Sequence, residues 1–137
     1  MRLVSLLFLA IGLIVAAPAY GRTPVPIVEF PDLAVGTSSG VKPTVEQVRQ
    51  AIVKAAGEKD WALAKQAEDR FVATRVIKGK HTIVTTISFS AEKYSVKYES
   101  SENMNYQVNN GKALIHPNYN VWAQDLVGAI RFEISKL

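Results

Sequence analysis

The stretch Phe71–Glu99, FVATRVIKGKHTIVTTISFSAEKYSVKYE, decides the fold. Its β-branched and aromatic residues suit a pleated, half-buried surface, and its apolar period is two. Three strands follow, over Phe71–Ile77, Thr82–Phe89 and Tyr94–Glu99. Lys78-Gly79-Lys80 and Ala91-Glu92-Lys93 are turn-length connections, so neighbouring strands run antiparallel. Ile83, Thr85, Ile87 and Phe89 share one face, opposite Val84, Thr86 and Ser88. Tyr94, Val96 and Tyr98 likewise oppose Ser95, Lys97 and Glu99. One apolar and one polar face describe a sheet covered on one side only. A weaker strand over Trp61–Gln66, turning at Ala67-Glu68-Asp69, makes this a four-stranded antiparallel meander.

Outward from the meander, both flanks read as helices. On the N-terminal side Thr44 and Gln47 have capping-box spacing. Val45, Val48, Ala51, Ile52, Ala55 and Ala56 then recur every three or four residues, predicting a helix over 45–56 that Gly57 ends in a left-handed cap. On the C-terminal side Pro117 suits a first helical position, and Tyr119, Trp122, Leu126, Ile130 and Ile134 form one stripe. That stripe places the Trp122 ring in the core, against the sheet. Between meander and helix, Asn109-Asn110-Gly111 is a tight-hairpin signal, with arms over 106–108 and 113–115. The expected architecture is α+β and two-layered: an N-terminal helix, the four-stranded meander, and a C-terminal helix packed on one sheet face. Residues 44–137 form that single domain. Residues 22–43, with Pro24, Pro26, Pro31, Pro43 and a Gly-Ser stretch, read as an irregular leader.

The N-terminus supplies an address. Arg2 precedes an apolar run from Leu3 to Ala17 that is shorter than the roughly 20 residues needed to span a bilayer. Small residues then offer cleavage after residue 19 or 21. Residues 1–19 read as a signal peptide, which implies a periplasmic or secreted protein with no stable membrane anchor after cleavage. Removing Arg2 takes the formal net charge from +4 to +3. That mild basicity is spread along the chain and does not describe a nucleic-acid surface. The chain has no cysteine, which excludes a disulfide framework, a thiolate metal site and a cysteine nucleophile.

Sites of familiar chemistry are hard to find. His81 and His116 stand far apart in sequence with no close carboxylate partner, so no metal site is expected. On this reading His81 begins a strand and His116 caps a helix. There is no nucleotide-binding glycine motif, and Glu99 and Glu102 are the only close acidic pair next to the polar loop. No cofactor and no catalytic residue is expected, and the chain reads as a non-enzyme. The distinctive region is 100–122, which combines six asparagines (Asn103, Asn105, Asn109, Asn110, Asn118, Asn120) with Tyr106, Tyr119 and Trp122. Asparagine satisfies loop backbone groups, and such mixtures also suit recognition. Both readings stand: a loop clamped onto the last helix, or a recognition surface made of Ser101, Asn103, Asn105, Tyr106, His116, Tyr119 and Asn120.

The features Val48 with Ala51-Ile52, Trp61, His81-x-Ile83, Tyr94-Ser95-Val96-x-Tyr98, Ser101-x-Asn103-x-Asn105-Tyr106 and Ile115-His116-x-Asn118-Tyr119-Asn120-x-Trp122 carry a resemblance. The chain resembles a family of small uncharacterised exported proteobacterial proteins, some of them lipoprotein-like. The resemblance implies an envelope address and a helix–strands–helix domain, and no activity. It covers nearly all of the chain beyond the signal peptide, although the lipid-bearing cysteine of some members is missing here. The expected function is therefore a non-catalytic periplasmic or secreted binding module, its partner an envelope protein or a saccharide. The alternatives are a small hydrolase or metal-dependent enzyme built around His116, and a purely structural envelope protein.

Overall fold

The computed structural model describes residues 22–137. The expected signal peptide, residues 1–19 with cleavage after 19 or 21, lies outside the described residues. In chain order the elements are β1 (Val25–Pro26), β2 (Phe30–Ala34), α1 (Val45–Glu58), β3 (Ala62–Ala67), β4 (Arg70–Ile77), β5 (His81–Phe89), β6 (Lys93–Glu102), β7 (Gln107–Asn109), β8 (Lys112–Ile115) and α2 (Pro117–Ser135). The protein is α+β, with two antiparallel sheets.

The meander is present as β3 to β6, but it is not the whole sheet. β2 pairs antiparallel with β6 and makes a five-stranded sheet of order β2-β6-β5-β4-β3. β1, β8 and β7 form a second, three-stranded sheet. The expectation of four strands and an irregular leader is thereby corrected. Pro26 and Pro31 are compatible with strands here because β1 and β2 are both edge strands, where a missing backbone N–H interrupts no ladder on the outer side. Asp32, at φ 48°, lies where the β2–β6 register shifts, and its N–H is satisfied by Ser95 Oγ at 2.9 Å.

α1 begins as its capping box requires. Gln47 N–H donates to Thr44 Oγ1 at 3.1 Å, and Thr44 N–H donates to Gln47 Oε1 at 2.9 Å. Its end differs from the expectation: Gly57 stays helical, and Asp60 takes the left-handed conformation at φ 62°. The Trp61 N–H then donates back to the Ala56 carbonyl at 2.9 Å. Trp61 itself precedes β3 and is buried. α2 starts at Pro117 as expected. The Asn110-Gly111 hairpin also forms, with positive φ at both residues, as a type I′ turn demands.

Both helices cover the same face of the large sheet. Ile83, Thr85, Ile87 and Phe89 of β5, and Tyr94 and Val96 of β6, are buried, in one cluster with Val48 and Ile52 of α1 and Leu126, Ile130 and Ile134 of α2. Arg49 of α1 lies 5.5 Å from the centre of the Phe89 ring, and Tyr119 of α2 meets Tyr98 edge-on at 5.4 Å. Two buried side-chain polar atoms have no partner among the described residues, one of them the indole N–H of Trp61. Thr85 is fully buried and its hydroxyl has no partner. A buried hydroxyl without a hydrogen bond costs about 1–3 kcal/mol.

Candidate functional site: a recess between two histidines

The loop from Asn103 to Tyr106 joins the two sheets, and it does so in an unusual backbone. Asn103 and Asn105 have φ of 55° and 53°, a conformation asparagine tolerates better than most residues. Between them the Met104 side chain is buried and pins the loop to the core. Two consecutive carbonyls are thereby held in place. The Asn103 carbonyl accepts from His81 Nδ1 at 2.7 Å, and the Met104 carbonyl accepts from the His116 backbone N–H at 2.8 Å. Asn103 Nδ2 also donates to the Lys80 carbonyl at 2.7 Å. This loop therefore draws together β5 and the start of α2, and with them the two histidines that the sequence keeps apart.

His81 and His116 line one recess of about 120 Å³ with Ile77, Lys78, Met104, Asn118 and Trp122. A volume of that size holds a few water molecules. It admits a head group or a single side chain rather than a protein segment. The partners of the two rings set their tautomers. His81 Nδ1 faces a carbonyl oxygen, which only accepts, so that nitrogen carries a proton and Nε2 is the acceptor of the neutral ring. His116 Nδ1 accepts from the Asn118 backbone N–H at 3.0 Å as the cap of α2, so its neutral ring carries the proton on Nε2. One imidazole thus offers Nε2 as an acceptor and the other Nε2–H as a donor.

The surroundings are basic. Lys78 lines the recess. Arg22 Nη1 donates to Asn118 Oδ1 at 3.1 Å, and the Arg75 guanidinium lies 5.6 Å from the centre of the Trp122 ring. None of the lining residues is acidic. Burial, then Arg22 and His81, hold the His116 imidazole below the usual histidine range. Among the described residues no three His, Asp or Glu side chains gather as metal ligands would. Coordination through His116 Nε2 would also move its proton to Nδ1, against the N–H it caps.

The seven residues expected to form a recognition surface divide in two. Tyr119 is buried, which removes it from any surface; its phenol is held neutral by burial, with Glu29 and Tyr98 adding to the effect. It belongs to the stripe that α2 turns toward the sheet, and its helical spacing already indicated that. Ser101 Oγ bonds the Tyr98 hydroxyl at 2.8 Å, and Tyr98 stacks on Tyr106 at 5.0 Å, leaving Tyr106 46% exposed. Asn120 is a clamp. Its Oδ1 accepts from Val28 N–H and its Nδ2 donates to the Pro26 carbonyl, both at 3.0 Å. Those two bonds reproduce a ladder pairing, so the amide stands in for a strand beside residues 26–28. On the other side the Ile27 N–H donates to the Ala113 carbonyl of β8 at 3.2 Å. Asn103 positions His81, and Asn105 turns the exposed loop. Only His116 lines the recess.

Sequence reasoning missed Lys78, Asn118 and Trp122 as site residues, and set His81 aside as the start of a strand. Trp122 is half-buried rather than enclosed by the sheet, because it lies at the rim where α2 begins, under Arg75. The signal available was the Lys78-Gly79-Lys80-His81 turn, which carries three polar side chains able to face a ligand or solvent. No protein-family model matches the chain, and neither a curated protein nor a solved structure does.

Proposed function

We propose that this chain is a non-catalytic binding module of the cell envelope, periplasmic or secreted, which holds part of its ligand in the recess between His81 and His116. The observation that carries this reading is the pair of consecutive carbonyls, of Asn103 and Met104, that fix both histidines beside an indole face. Positions held by backbone are preorganised, and convergent polar groups beside an aromatic surface are how small sites gain specificity. The partner is an envelope molecule, a saccharide or a protein, that presents a small polar group to the recess. The remaining expected recognition residues serve the frame. The decisive comparison is retention of envelope components by the wild-type chain and by Trp122→Ala, with melting curves for both. Loss of a retained component by a folded variant supports the reading; equal retention overturns it.

The opposed tautomers favour a second reading, a small hydrolase in which His81 Nε2 accepts a proton and His116 Nε2–H donates one. Turnover of chromogenic esters and phosphodiesters, abolished by His81→Gln and by His116→Asn, would establish it. Absence of turnover with all of them returns the site to binding alone.

A further inference from the structure

We infer that the recess takes a phosphoryl group, an inference that rests on the binding reading above and names its ligand class. Donors reach the recess from three parts of the chain, and acceptors are scarce. The β4–β5 turn brings Lys78, with an ammonium that has three hydrogens to give. The start of β5 brings His81, whose Nε2 becomes a second donor when the ring is protonated, its Nδ1 proton being already committed to the Asn103 carbonyl. The start of α2 brings His116, with a proton on Nε2, and Asn118. Asn118 Oδ1 is occupied by Arg22, so the free part of that amide is its NH2 group. The neutral ring of His81 leaves one acceptor, Nε2, which an imidazolium would lack.

Shape points the same way. A tetrahedral phosphoryl group presents three oxygens in different directions, and here donors come from separate elements rather than from one side. A planar carboxylate would leave some of them unmet. With Lys78 in the wall, Arg22 and Arg75 at the rim and no acidic residue in the lining, the field inside favours negative charge. The size, room for a few waters, suits a phosphoryl group whose remainder projects outward past Trp122.

The test is titration of the purified mature chain with inorganic phosphate, followed through the imidazole resonances of His81 and His116 by NMR. Both rings should move together and saturate, and chloride at equal ionic strength should leave them in place. Lys78→Gln should weaken phosphate binding about 10-fold, as loss of a charged hydrogen bond does, while Lys97→Gln on the open face of the sheet leaves it unchanged. Equal effects of the two lysine variants, or shifts that follow ionic strength alone, would overturn the site. Two competition arms separate the sources. Displacement of phosphate by glucose 6-phosphate identifies a soluble phosphorylated sugar, and displacement by phosphatidylglycerol vesicles identifies a lipid surface. Shifts at Trp122 with glucose, and none with phosphate, would overturn the phosphoryl class and keep the recess as a recognition site. Silence toward phosphate and glucose together with equal retention by Trp122→Ala would remove both readings.

Discussion

The middle of the large sheet and the end where the two sheets meet are built on opposite terms. In the middle, β5 and β6 bury Ile83, Ile87, Tyr94 and Val96 under both helices, and stability there follows apolar area. The polar intruder in β5, Thr85, has no partner. At the end, polar side chains hold the backbone: Asn120 on residues 26–28, Asn103 on Lys80, and His116 on the first turn of α2. Burial is non-directional and sets which face points inward. Hydrogen bonds are directional, and they set the angles and tautomers that a recess needs. Removing a polar group should therefore have opposite signs in the two regions.

The largest effect belongs to a residue that joins them. Tyr119 is buried and meets Tyr98 edge-on, so Tyr119→Ala should cost about 3–5 kcal/mol in chemical denaturation. A loss below 1 kcal/mol would mean that the end is held without its aromatic contacts. Next in size, and opposite in sign, Thr85→Val should raise stability by about 1–2 kcal/mol, because the isostere removes an unsatisfied hydroxyl. A destabilised Thr85→Val protein would show that the hydroxyl is bonded after all, and would weaken the contrast between the regions.

Asn120→Ala tests the other sign. The backbone groups it frees lie near solvent, so the cost should be about 1 kcal/mol, at the low end for a lost hydrogen-bond partner. The local readout is sharper: amide exchange at Val28 should accelerate, while exchange in β5 stays slow. Uniform acceleration across both strands would mean the clamp is not local.

The smallest effect is a slope with pH. His116 titrates below its ordinary value of 6.5 in the folded chain, so the unfolded chain binds that proton more readily. The stability it contributes is present at neutral pH and lost as pH falls below about 6.5, and Nδ1 protonation also removes the cap on the Asn118 N–H. Besides burial, the groups that bear on it are Arg22 and His81, both basic, and Lys78 lines the same recess. His116→Asn keeps a capping side chain without a titrating one, so the melting temperature of that variant should change less between pH 7.5 and 5.5. Equal slopes for both proteins would place the acid sensitivity elsewhere.

Much of the frame was legible in advance because it depends on near neighbours in the chain. The Thr44–Gln47 box, Pro117 at the start of α2, the Asn110-Gly111 turn and the alternation in β5 each rest on contacts within a few residues. β2 was not legible, since its proline, Pro31, argues against a central strand and its partner, β6, lies some 60 residues on. The site was only partly legible. Asparagine-rich composition marked the right loop, but composition does not say whether an amide faces a ligand or a backbone. For Asn120 the answer turned out to be backbone 92 residues away in sequence.

By itself the sequence determined the α+β class, the two helices, the meander and its apolar face, because periodicity and caps are local and the hydrophobic effect needs no particular partner. Only the tertiary structure decided that residues 25–34 join both sheets and that His81 and His116 share one recess. Each of those outcomes depends on hydrogen bonds between segments far apart in the chain. Such bonds form only where packing has already brought the right atoms to within about 3 Å.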